Sequence, residues 1–193
     1  LYPIWILKYV YNLLFAIRYG RGVDVMGEDW DTLILLDACR FDDFRDINHI
    51  EGQLTSKISK GVDSKQFILR NFVGKDLSDT VYVTANPHVD LVGQDVFYDI
   101  ITEPISNWDS DFQCVKPGDV TAAAITAHKK YPNKRIIVHY MQPHDPPLGP
   151  TATELRENFD INGAEPGVSS TNNKRIMELV AEGKIPAEKA RKA

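Results

Sequence analysis

The stretch Thr32-Leu33-Ile34-Leu35-Leu36-Asp37-Ala38-Cys39-Arg40 decides how this chain is read. Thr32 to Leu36 shows no polar alternation, which predicts a strand buried on both faces of a parallel sheet. The run stops at an acid, so Asp37 and Arg40 emerge at the strand's carboxyl end. In an open α/β sheet that end opens into the crevice where ligands bind. A carboxylate there can hold a metal and an arginine nearby can hold an anion. Local chemistry equally allows Asp37 to cap the following turn, with Arg40 as a surface partner.

Arg135-Ile136-Ile137-Val138-His139-Tyr140-Met141-Gln142 repeats the design and runs into Pro143-His144-Asp145-Pro146-Pro147. The three prolines end the strand and stiffen its loop, presenting His144 at a strand end. His139, inside the strand, reads as a hydrogen-bonded core histidine.

The rest of the chain is consistent with one domain. Its 193 residues are 43% hydrophobic and 25% charged, an ordinary globular balance. The net charge of −5 and the lack of a basic run with interleaved aromatics argue against a nucleic-acid partner. Cys39 and Cys114 match no zinc or redox spacing, and Cys39 reads as a small buried filler. Further strand and helix signals are a helix over 41–47, a helix over 64–72, a strand over 81–84 and an alanine-rich helix over 119–131. Short helices follow near 153–158 and 171–182. Residues 20–31 read as a polar linker and 89–118 as irregular. Apolar strands alternating with helices predict an α/β fold: a doubly wound, mainly parallel sheet with helices on both faces.

Residues 1–17 form a near-continuous apolar run, interrupted by Lys8 and Asn12, within an N-terminal segment 1–21 separate from the α/β domain of 22–193. Lys8 and Asn12 are four apart and share a helical face. The run is short for a membrane span and lacks the features of a signal peptide, so a helix docked on the protein or in a membrane interface is expected. The opening on Leu1 and the closing run of helix formers read as the N-terminal portion of a longer protein.

Three polar sets converge if the strands are parallel: Asp37 with Arg40, Asn86 with His88, and His144 with Asp145. A fourth is Ser59-Lys60-Gly61-Val62-Asp63-Ser64, ahead of a helix beginning near Lys65. A hydroxyl at a helix N-terminus sits beside the positive end of the dipole, which favours an activated nucleophile. The alternative is that Ser64 or Asp63 only caps the helix.

The run Glu28 to Asp42, then Val81-Tyr82-Val83-Thr84-Ala85-Asn86-Pro87, then His139 to Pro146 resembles the archaeal sulfatase-like proteins of the alkaline phosphatase superfamily. The resemblance spans roughly residues 22 to 150. It implies a doubly wound α/β fold and a metal-dependent hydrolase of sulfate or phosphate esters. Asp37 matches the first-strand metal aspartate, for a divalent cation (Ca, Mg, Mn or Zn). Arg40 lies where an anion contact would help, and Asn86 is expected to contact substrate. His144 is similar to the Pro-His-x-Pro histidine that contacts the ester or leaving oxygen. Ser64 occupies the nucleophile's place, with Ser59 as the fallback. The implied substrate is a sulfated or phosphorylated glycan or lipid.

Two family patterns are missing: Cys/Ser-x-Pro-x-Arg, and any Asp-His dipeptide of a later metal-binding strand. The first favours a rival reading, an inactive sulfatase-fold protein that binds an anionic glycan or lipid headgroup. The second is expected if the chain continues further. A third reading is a membrane-associated phosphoglycerol- or phosphoethanolamine-type transferase, supported by the aromatic-rich first helix.

Overall fold

The computed structural model describes residues 4–109, 114–144, 148–159 and 171–191. Four strands form one sheet: β1 (Thr32–Asp37), β2 (Leu77–Thr84), β3 (Phe97–Ile101) and β4 (Arg135–Pro143). Their order is β1-β4-β2-β3 and every pairing is parallel. The helices are α1 (Ile4–Tyr19), α2 (Phe41–Ile47), α3 (Ser64–Asn71), α4 (Glu103–Ser106), α5 (Pro117–Lys130), α6 (Pro150–Phe159), α7 (Thr171–Ala181) and α8 (Ala187–Arg191). This is a parallel α/β architecture, as the alternation of strand and helix signals predicts.

The two faces of the sheet follow from strand parity. Val81, Val83, Ile136 and Val138 point to one face, where α5 supplies Val120 and Ala127. Tyr82, Ile137, Leu33 and Leu35 point to the other, where α3 supplies Ile68 and Phe72. Pro117 at its N-terminus, Asp119 in the first turn and His128, Lys129 and Lys130 in the last make α5 a helix at both ends. Leu155, Ile176, Leu179 and Ile185 form a third, separate cluster from α6, α7 and the chain just beyond.

Four expectations change. β1 is not buried on both faces: it is the sheet's edge strand, and its exposure alternates. α5 lies over β2 and β4 but leaves the same face of β1 open, so Ile34 is 58% exposed. Residues 89–118 are not irregular throughout: β3 forms there and pairs with β2, joined by a 3₁₀ turn over Pro87–Leu91. The segment 20–31 is not a passive linker. Val23 pairs with Ser59, and its N–H donates to the Ile58 carbonyl at 2.8 Å. Finally, the first helix does not stop at Ile17: described from Ile4, α1 runs on to Tyr19, where Gly20 (φ 81°) ends it, and residues 1–3 lie outside the described residues. The proposed Lys8–Asn12 face lies outside the described side chains.

Candidate functional site

Asp37, Asn86 and His144 each follow a strand, and the parallel sheet brings those strand ends to one edge. Asn86 Nδ2 donates to Asp37 Oδ2 at 3.1 Å. The Asn86 carbonyl oxygen accepts from the His88 N–H at 2.9 Å, so both ends of this amide are held and its rotamer is set. Asn86 is 2% exposed, a rigid post behind the carboxylate. The His88 side chain is exposed.

Ser64 reaches the same carboxylate from α3. Its hydroxyl lies 2.8 Å from each oxygen of Asp37. The capping role belongs to its neighbour: the Asp63 side chain accepts from the Gln66 N–H at 2.7 Å. The Ser64 hydroxyl is therefore engaged by the site and not by its own helix, which separates the two roles the sequence left open. Ser59 sits in a local turn, where its hydroxyl accepts from the Gly61 N–H at 3.2 Å.

Asp37, Ser59, Asp63 and Ser64 line a cavity of about 470 Å³ together with Leu35, Cys39, Phe67, His139 and His144, whereas the buried Asn86 stands behind Asp37 and not on the wall where the sequence expected it to contact substrate. The cavity lies on the α3 side of the sheet's carboxyl edge, where open α/β sheets take ligands. Directly after Asp37, Ala38 adopts a left-handed backbone (φ 61°). For a residue with a Cβ this costs about 1–2 kcal/mol, and such strain concentrates at functional sites. Gly61 is also required here. A Cβ at this position would fall 2.3 Å from the Phe67 backbone nitrogen, so only glycine lets the loop lie against α3.

The loop carrying Ser59 to Ser64 is clamped from outside the cavity. Asp24 bridges Lys60 at 2.8 Å and Lys75 at 2.5 Å. Hydrogen bonds from these two lysines hold the Asp24 carboxyl down to about 2. The Arg70 guanidinium donates to the Lys60 carbonyl.

His139 is buried, as expected of a core histidine, but it also reaches the cavity wall. Its Nδ1 lies 2.7 Å from the Tyr82 hydroxyl. Burial holds the imidazole down to about 4, with the Asp37 charge pulling the other way. Burial also pushes the Tyr82 phenol up, so it stays protonated. The imidazole is therefore neutral, and the phenol and Nδ1 share one hydrogen bond at the back of the cavity. This pair was missed in the sequence because its residues stand 57 apart, and strand register alone makes them neighbours. Burial likewise raises the Cys39 thiol, as does the nearby Asp43, which keeps it a neutral wall group rather than a nucleophile.

Arg40 is not brought into the cavity. Its guanidinium is 71% exposed and pairs with Asp42 at 2.7 Å. The Asp42-Asp43 dipeptide that draws it away was visible in the sequence two residues on. Asp145 lies outside the described residues.

The oxygen groups that could meet a hard cation here are the Asp37 carboxylate and the Ser64 hydroxyl. Among the described residues no group of three or more His, Cys, Asp or Glu side chains converges.

No family model matches the chain, and no curated protein or solved structure is significantly similar to it.

Proposed function

We propose that this chain belongs to a metal-dependent hydrolase of sulfate or phosphate esters, of the sulfatase-like kind, with its reaction centre at Asp37 and Ser64. The observation that supports this most is the Ser64 hydroxyl within 2.8 Å of both Asp37 oxygens, at the head of a helix and inside a cavity. In this reading Asp37 holds a divalent cation, which when bound would polarise the ester and lower the nucleophile's pKa. Ser64 loses its hydroxyl proton to solvent and attacks the sulfur or phosphorus as the bond to the leaving oxygen breaks, and water then hydrolyses the ester formed on Ser64 and restores its hydroxyl. The first-turn N–H groups of α3 stabilise charge on the transferred group. His144, on the cavity wall, donates a proton to the leaving oxygen. Asn86 acts by positioning Asp37. Phe67 and Leu35 supply apolar wall, which strengthens these interactions by excluding water. Arg40 has no part in this scheme as placed.

The test is cleavage of p-nitrophenyl sulfate and p-nitrophenyl phosphate by the intact protein with Mg²⁺, Mn²⁺, Ca²⁺ or Zn²⁺ added. Asp37→Ala and Ser64→Ala are each expected to remove metal-dependent turnover, by about a thousandfold or more, or about 4 kcal/mol of barrier. Unchanged turnover in Ser64→Ala would move the nucleophile to Ser59. Unchanged turnover in Asp37→Ala would end the metallohydrolase reading. Calorimetric binding of sulfate or phosphate without turnover under any metal would select the anion-binding reading. The same site with an alcohol replacing water would make the protein a group transferase. The apolar exposure of α1 favours that second reading, because such acceptors reside in membranes.

A further inference from the structure

α1 stands apart from both faces of the sheet. Leu7, Tyr9, Tyr11, Leu14 and Ile17 are each more than 60% exposed, and at 100° per residue they point to widely different sides of the helix. Its described part runs from Ile4 to Tyr19 and carries no acid. No helix among the described residues is long and apolar enough to cross a membrane. Charge is segregated as well. Residues 1–23 contain Lys8, Arg18 and Arg21 and no acid, in a chain whose net charge is −5.

Between α1 and the loop before α3 runs a groove of about 1230 Å³. Leu7, Tyr11, Phe15, Ile58 and Val62 give it apolar walls, and Lys60, Arg21 and Arg70 also line it. Ser59 and Val62 line both this groove and the Asp37–Ser64 cavity, so one loop separates the two.

We propose that α1 and this groove form a docking surface for an anionic lipid bilayer, with α1 lying in the headgroup region and the cavity opening beside the membrane. Exposed tyrosines and leucines over a basic segment without acids are what a membrane interface accepts: the rings and aliphatic side chains enter the headgroup boundary while the basic groups meet the headgroups. The missing acids and the three bases select anionic headgroups. Docking is independent of whether Ser64 is a nucleophile, and its readout is binding alone.

The experiment is flotation of the intact protein with vesicles of phosphatidylcholine, alone or with about a quarter phosphatidylglycerol. Flotation is expected to be about tenfold greater with phosphatidylglycerol and to be reversed by high salt. Leu14→Glu with Ile17→Glu should abolish it. Arg18→Glu with Arg21→Glu should remove the preference for phosphatidylglycerol. Near-UV circular dichroism should match wild type in both variants, since α1 lies outside the cores. Equal flotation with both vesicles that survives alkaline carbonate would mean insertion and overturn surface docking. Absence of flotation, whether the protein is a monomer or an α1-mediated dimer by light scattering, would also overturn it.

Discussion

β1 and β2 end beside the same carboxylate, Asp37, yet they are built differently. β2 lies inside the sheet; from Thr80 to Ala85 it is fully buried, and it leads into a buried Asn86 held at both ends of its amide. β1 is the edge strand. Its α5-side face is open, its register shifts between Leu36 and Asp37, and the next residue is in a left-handed conformation. The site therefore joins a rigid post to an accessible carboxylate. Packing fixes the post, while the edge leaves Asp37 room to meet a ligand.

The comparison breaks first at Tyr82. This ring is fully buried against Phe72 and Phe97 and bonded to His139. Tyr82→Ala should destabilise the fold by about 3–5 kcal/mol, read as a lower urea midpoint at unchanged slope. A loss below about 1 kcal/mol would mean that β2 is no better packed than β1.

The next effect is on pH. Burial lowers the folded-state value of His139 from the usual 6.5 to about 4. A histidine so depressed is neutral in the fold and takes up a proton more readily when unfolded. Stability is then full above about 6.5 and declines as the pH falls toward 4, by no more than about 3 kcal/mol. Urea midpoints measured between pH 7 and 4.5 should fall in wild type and stay flatter in His139→Gln. Parallel curves would remove His139 as the cause.

A smaller effect is expected at the junction of the two strands. Asn86→Ala takes away the amide that orients Asp37, and turnover should drop about 10–100-fold, or about 1–3 kcal/mol of barrier. Loss of the bond to the His88 N–H should lower stability by about 1 kcal/mol. Full turnover in this variant would show that Asp37 needs no post.

The smallest effect belongs to the open side of β1. Ile34→Thr exchanges a half-exposed β-branched residue for another and should change stability by no more than about 0.5 kcal/mol. A cost near that of Tyr82→Ala would mean that this face is covered in the intact protein.

Much of the architecture is local and was legible. Val81 to Thr84, Arg135 to Gln142, the alanine-rich helix and the helix from Ser64 each announce themselves by apolar pattern and by the breakers at their ends. The same punctuation places Asp37, Asn86 and His144 just past strands, and parallel pairing then gathers them. β3 was missed because its Phe97-Tyr98-Asp99-Ile100-Ile101 run is short and broken by an acid. Its pairing with β2 supplies the stability that its own sequence lacks.

The sequence by itself determined three of the four strands and the main helices, which of them end in polar groups, and that residues 1–23 are apolar and basic. Those properties depend on neighbours within a few residues. The tertiary structure alone decided that β1 lies at the edge, that Ser64 meets Asp37 across 27 residues, that Tyr82 meets His139 across 57, and that α1 stays outside the core. An apolar run is compatible with burial on one face, on two or on none. Strand order and helix packing choose among them, because they determine which surfaces remain in water.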